Sequence, residues 1–318
     1  MKSFHHIILT LLAGLFIGCE AKKEPKALQV SEDFVEINDA YHFYVLGDWG
    51  RNGQYGQQEL ADMMNEAAKK VEPEFIISTG DNFYNNGIAS VQDPYWISSY
   101  ENVYNGTHLF CDWYVILGNH DYRGNIQAQI DYSQISRRWN MPDRYYLKDI
   151  TTDDGATARF VFIDTSPLED EYHRKAKYHQ VLTQDTTAQL QWMDSVLNVD
   201  VDWKIVVGHH PLYTGGKRKD DTSYVRPHVE PLLSKHNVDM YLAGHEHDLQ
   251  HIKPDGKPTH HIVSGAGSEV RPTGTMEYTK FAEAIQGFVS AAINKDSVYC
   301  QFVNLKGEMI YDFSIKPN

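Results

Sequence analysis

The stretch FIISTGDNFYNNG, residues 75–87, sets a short apolar run against an abrupt polar ending. Phenylalanine followed by two isoleucines, closed by a glycine, reads as a buried strand rather than the start of a helix. Beyond the glycine come Asp81 and, three residues later, Tyr84. A tyrosine in a loop ordinarily caps a surface or packs half-buried. What it does here depends on what other parts of the chain bring near it.

Four more apolar runs end in the same manner. YHFYVLGDWG (41–50) leads to Asp48, and WYVILGNHD (113–121) leads to Asn119, His120 and Asp121. KIVVGHHP (204–211) leads to His209 and His210, and VDMYLAGHEHD (238–248) leads to His245 and His247. Helical segments lie between them. QQELADMMNEAAKKV (57–71) sets Leu60, Met63, Met64, Ala67, Ala68 and Val71 on one face. A second helix is expected over 186–198 with Asp185 as its N-cap, and a third near 227–236. RFVFID (159–164) reads as a further strand, and the C-terminal part as strands joined by tight turns. Strand–helix alternation with apolar strands points to an α/β core covered on both faces, and the antiparallel tail to mixed sheets.

In such sheets the loops at the carboxyl ends of strands gather on one rim, where ligands bind. Singly, each polar residue has an ordinary explanation: Asp48 as a turn cap, Asn119 as an Asx turn, His209 as packing before Pro211. Five endings of one chemical kind at equivalent positions do not. Two aspartates, a tyrosine, an asparagine and three histidines form an N/O donor set without thiolates, suited to iron, zinc or manganese. Seven donors exceed one tetrahedral site and match two metals sharing a carboxylate. Glycine before nearly every ending is expected to let the backbone turn sharply.

Composition narrows the partners. The 318 residues carry 43 acids against 29 bases, a formal charge of −14, which repels polyanions and excludes nucleic-acid binding through a basic face. Small phosphorylated ligands stay possible because bound cations reverse the local field. The apolar run over 7–18 is too short to span a bilayer and fits the core of a signal peptide. Gly18 before Cys19, with Leu15 upstream, resembles a bacterial lipobox, in which Cys19 becomes a lipidated mature N-terminus. Ordinary cleavage and release is the alternative. With Cys19 acylated, Cys111 and Cys300 are left either to pair or to remain buried thiols.

Taken together, Asp48-Trp49-Gly50, Gly80-Asp81 with Tyr84, Gly118-Asn119-His120-Asp121, Val206 with His209, and Gly244-His245 with His247 resemble the five-motif signature of the purple acid phosphatases. These are calcineurin-like metallophosphoesterases. The likeness runs from about residue 40 to the C-terminus and is to the small, tartrate-resistant type.

The resemblance implies a four-layer α/β/β/α sandwich of two mixed β-sheets, with helices on both outer faces and the metal site at the C-terminal ends of strands. It implies iron(III) on Asp48, Tyr84 and His247, and a divalent iron, zinc or manganese on Asn119, His209 and His245. Asp81 would bridge the two. A phenol that ordinarily ionises near pH ~10 could then bind iron(III) as phenolate. The implied reaction is hydrolysis of phosphate monoesters, with metal-bound hydroxide as nucleophile and His120 as leaving-group acid.

The implied layout is a signal peptide at 1–18, a lipid-anchored tether at 19–39 and the metallophosphoesterase domain at 40–318. The chain is then an exported, monomeric lipoprotein of the bacterial cell envelope, held to the membrane by lipid on Cys19. Two rivals are a calcineurin-like phosphodiesterase with two manganese ions and a non-catalytic metal-binding surface lipoprotein. One departure stands out. The loop after His209, GGKRKDD (215–221), lacks the second active-site histidine of related enzymes. His210 either takes its place or only packs; Lys217 or Arg218 binding phosphate instead is a further alternative, with a solvated loop the expected reading for both. His251, His260 and His261 match no ligand position and are read as structural.

Overall fold

A computed structural model describes residues 27–219 and 224–317. The expected signal peptide and Cys19 lie outside the described residues.

The chain begins β1 (Tyr41–Leu46), α1 (Gln57–Ala67), β2 (Phe75–Ser78), β3 (Asp112–Val115) and α2 (Ile126–Tyr132). It continues β4 (Trp139–Asn140), β5 (Tyr146–Thr151), β6 (Thr157–Phe162), α3 (Thr186–Leu197), β7 (Trp203–Val207) and α4 (Arg226–Lys235). Then follow β8 (Met240–Ala243), β9 (Leu249–Ile252), β10 (His260–Ser264) and β11 (Thr279–Glu283). The last strands are β12 (Gly287–Ile293), β13 (Val298–Asn304) and β14 (Met309–Ile315).

Two seven-stranded sheets result, ordered β14-β13-β12-β1-β2-β3-β4 and β11-β9-β10-β8-β7-β6-β5. In the first, β1 to β4 run parallel and β12 to β14 add antiparallel at one side. In the second, β6, β7, β8 and β10 are parallel, flanked by antiparallel β5 and β9.

The layers follow from strand periodicity. On β6, β7 and β8, Phe160, Phe162, Ile205, Val207, Met240 and Leu242 face the other sheet and share its core. The alternate residues Val161, Val206, Tyr241 and Ala243 pack instead under α3 and α4, against Met193, Leu197, Val229 and Leu233. Phe160 meets Phe43 and Phe75 edge-on at 5.3 and 5.5 Å, which joins the two sheets. On the far side Leu60, Ala61, Met64 and Ala67 of α1 enter the same core as β1 and β2. The expected four-layer sandwich of two mixed sheets is therefore present. Asp185 caps α3 as expected, its side chain accepting from Ala188 N at 3.0 Å.

One part differs from the sequence reading. Residues 31–37, read as tether, lie along the β13–β14 ribbon. Ser31 N donates to Gly307 O, Gln301 brackets the Val35 backbone with two 2.8 Å hydrogen bonds, and Phe34 is fully buried. One aromatic anchor with paired backbone is enough to dock an otherwise polar stretch. Cys111 and Cys300 are free thiols, which settles the open choice; burial raises the Cys111 thiol to about 12. Among the described residues no helix is long and apolar enough to cross a membrane.

Candidate metal centre

Strands β1, β2, β3, β7 and β8 are parallel within their sheets, and their carboxyl ends meet on one rim. Ties between the sheets hold the rim. His209 Nδ1 lies 2.8 Å from Thr79 O, His245 N donates to Asp48 Oδ2 at 2.8 Å, and Ser264 Oγ donates to Val45 O at 2.8 Å.

The sharp turns are made differently from expectation. Of the glycines that open the five endings, only Gly80 has a positive φ, +94°. The donors Asp48, Asp81 and His245 themselves adopt left-handed backbone, at φ 58°, 52° and 68°. A non-glycine residue held there stores conformational strain that the surroundings must impose. The other glycines make room: a Cβ on Gly118 would sit 2.2 Å from Asp81 Oδ1, and one on Gly244 2.5 Å from Asp48 Oδ2.

All seven side chains singled out by sequence meet here. The Tyr84 hydroxyl lies 2.8 Å from Asp48 Oδ1, 2.9 Å from Asp81 Oδ2 and 3.0 Å from His247 Nε2. His247 Nε2 is in turn 3.3 Å from Asp48 Oδ1. The other Asp81 oxygen, Oδ1, lies 3.5 Å from His209 Nε2, whose further neighbour is His245 Nδ1 at 3.1 Å. The Asn119 amide stands between His245 Nδ1 at 2.9 Å and Tyr178 Oη at 3.3 Å, and turned with its oxygen toward His245 it would offer that oxygen to a cation. Asp81 thus presents one oxygen to each half of the cluster.

The donor set fits cations. His247 Nδ1 sits 2.8 Å from the Glu269 carbonyl, which can only accept, so in the neutral ring Nε2 carries the lone pair. Around Tyr84 three acceptors, from Asp48, Asp81 and His247, then compete for one phenolic proton. Left alone they would be unsatisfied lone pairs in a buried site, the situation a metal ion resolves. Carbonyls behind His209 and His247 orient both rings in the manner usual for metal-ligating histidines. The protein alone keeps Tyr84 protonated: burial first, then Asp48 and Asp81, raise its ionisation well above the usual range. For Asp81 burial acts upward, but His209, His120 and hydrogen bonds to His120 N and Tyr84 outweigh it and hold the carboxyl low.

His120 packs on Tyr84 with ring centroids 4.3 Å apart, and its Nδ1 lies 2.7 Å from Asn85 O. Nε2 is left facing Asp81 Oδ2 at 4.0 Å. Burial, with Arg123 adding to it, lowers the ring to about 4. His210 stands against His245, centroids 4.3 Å apart. Both its ring nitrogens have partners, Thr165 Oγ1 at 2.8 Å and Tyr172 Oη at 3.0 Å.

Several contributors were not recognised in the sequence. Arg51 lays its guanidinium 3.9 Å from the Tyr84 ring centroid, opposite a carboxylate tie to Glu269 at 2.9 Å. Asp121 accepts from Gly118 N, Asn82 N and Phe83 N at 2.8, 3.1 and 3.2 Å, binding two donor loops together. Its place directly after Asn119-His120 was the available signal. Arg218 is a correction. It is half-buried rather than solvated, and donates to His245 O at 2.9 Å, because Gly215 and Gly216 carry the loop inward. Lys217 is exposed, as expected of that loop, and so is His228, within α4. His251 and His260 bond each other at 2.9 Å between β9 and β10 and stack on Phe313.

Residues 41–249 match the family model "Calcineurin-like phosphoesterase". The chain is 34% identical over 285 residues to purple acid phosphatase 17 of Arabidopsis thaliana, covering 85% of this chain and 82% of that one. It is 30% identical to tartrate-resistant acid phosphatase type 5 of Mus musculus, over 86% and 89% of the two chains. Among solved structures it is similar to GAP50, described as the anchor in the inner membrane complex of Plasmodium. That match has a TM-score of 0.76 and 29% identity over 88% and 90% of the chains. With two sheets delivering an oxygen- and nitrogen-rich donor set to one rim, the chain belongs to the purple acid phosphatases, within the calcineurin-like phosphoesterases.

Proposed function

We propose that this protein hydrolyses phosphate monoesters at a dinuclear iron(III)–divalent metal centre. Asp48, Tyr84 and His247 would hold the iron, Asn119, His209 and His245 the divalent ion, and Asp81 both. The observation that carries this reading is the Tyr84 hydroxyl within 3.0 Å of Asp48, Asp81 and His247. Bound metals would supply neutralisation of phosphate charge and an acidified water. The chain's own part is to hold the two donor sets apart on one carboxylate and to manage a proton. His120, with its Nδ1–H committed to the Asn85 carbonyl, would carry a proton on Nε2 for the departing alkoxide only as the imidazolium, and burial lowers the ring to about 4, so this role would belong to acid pH.

The test is a visible absorption spectrum of the purified protein with its metals counted, repeated on Tyr84→Phe. A violet band with about two metals per chain, lost in the variant, is expected of tyrosinate on iron(III). A colourless protein holding two manganese ions would overturn the iron assignment and favour a phosphodiesterase. The likeness to a protein described as an anchor favours one second reading, a metal-binding scaffold. Two bound metals without turnover of p-nitrophenyl phosphate would support it.

We also propose export and attachment to the bacterial envelope through lipid on Cys19. Support comes from the apolar run over 7–18 that ends at Gly18-Cys19. Labelled palmitate should enter the wild type and not Cys19→Ser; equal labelling would refute the anchor.

A further inference from the structure

A cleft of about 250 Å³ opens directly beside Asn119 and His245. In a chain of net charge −14 its lining is unexpectedly cationic: Arg123, Lys175, Lys177 and Arg218 face it, against Glu169 and Glu171. Lys175 pairs with Glu171, and Arg218 is tied to Glu246 at 3.8 Å and to His245 O. Arg123 is different. It donates to neutral oxygens, Asn85 O at 3.2 Å and Tyr178 Oη at 2.9 Å, and forms no ion pair among the described residues. Its Nε is buried without a partner. Lys177 rests its ammonium 4.8 Å from the Tyr178 ring centroid, on the same wall.

We propose that this cleft is a subsite for a second phosphate on the substrate, so that the enzyme prefers small bisphosphates to the corresponding monophosphates. The inference rests on the phosphatase reading above and names its substrate class. The argument is one of charge. A scissile phosphate among the metal ligands has its charge met there. It leaves the two cations of the cleft wall that have no carboxylate partner, Arg123 and Lys177, unmatched, and a second anion in the cleft would meet that charge. Tyr172 and Tyr178, ring centroids 4.2 Å apart, wall the cleft and hold Arg123 in place, so little ordering is left for the ligand to impose. The cleft's volume suits a small polyol or sugar phosphate, not a macromolecule.

The test uses the metal-loaded enzyme with fructose 1,6-bisphosphate and fructose 1-phosphate, comparing kcat/KM for release of the first phosphate. The wild type is expected to favour the bisphosphate by roughly tenfold or more, the scale of one charge-assisted hydrogen bond. Lys177→Ala, at an exposed position, and Arg123→Ala should each lower that ratio about tenfold, mainly through KM for the bisphosphate. Arg123→Lys should restore part of it. A wild-type ratio near one, or variants that depress both substrates equally, overturns the subsite while leaving the phosphatase standing. Hydrolysis of neither sugar phosphate nor p-nitrophenyl phosphate overturns both.

Discussion

Tyr84 sits between two aromatic or cationic faces, the His120 ring and the Arg51 guanidinium, with its hydroxyl in the donor cluster. Of these two neighbours, neither expected to bind metal, His120 is the one that can carry a proton to a leaving group. If His120 supplies the leaving-group proton, the need for it depends on the alcohol released. His120→Ala should lower kcat on alkyl phosphates by about 10²–10³, and on nitrophenyl phosphate by less than about tenfold, since nitrophenolate leaves without protonation. Steady-state rates on the two substrates check this; equal losses would reduce His120 to a support for Tyr84. The glycines beside the cluster act at the same scale by omission, since Gly118 and Gly244 have no space for a Cβ next to Asp81 and Asp48.

At the scale of elements, the rim depends on parallel strands ending in step, and the segment before β1 helps to hold them. Residues 31–37 cover β13 and the β13–β14 turn, with Phe34 fully buried in the core shared by β1 and β12. Phe34→Ala should therefore cost about 3–5 kcal/mol, a cavity-forming loss, although sequence composition makes the segment look like a linker. Urea unfolding measures it. A change below about 1 kcal/mol would return the segment to the tether. Metal content at native conditions should stay near that of the wild type, because the substitution alters no donor side chain.

Over the whole molecule, acid tolerance matters, and buried histidines away from the metal site act against it. His251 lies between His260 and Tyr311 on the β9–β10 side, stacked on Phe313 at 3.8 Å. Burial first, then His260, Lys280 and Lys253, push it down to about 3. The folded pKa lies below the unfolded one. The unfolded chain therefore takes up a proton as pH falls through about 6.5, and the folded chain does not until about 3. In that window this residue makes stability fall with pH, by up to ~1.4 kcal/mol per unit. Buried carboxyls work in the opposite sense. Burial lifts Asp164 to about 7, so the folded chain binds its proton first and gains stability on acidification. His251→Phe keeps the stack on Phe313 and removes the titration. Its unfolding free energy should decline less steeply from pH 7 to 5 than that of the wild type. Parallel declines would mean that His251 does not titrate as described.

Much of this was legible in the chain itself. Apolar runs closed by Gly-Asp, Gly-Asn-His and Gly-His mark strand ends, because a fully buried strand must be apolar throughout and its chemistry is displaced to the loop beyond it. That pattern determined the seven donors, their order and an α/β core, while its division into two sheets was implied by the family resemblance. Three things were decided only in the folded molecule. The left-handed backbone at Asp48, Asp81 and His245 arises because a strand end of one sheet is clamped to the other, which no local sequence specifies. Arg51, Arg123 and Arg218 look like ordinary surface charges until loops far apart in sequence close over them. The docking of residues 31–37 turns on one phenylalanine meeting a ribbon more than 260 residues away. Sequence period records which face a residue shows to its neighbours along the chain. It carries no trace of which distant surface will be there to meet it.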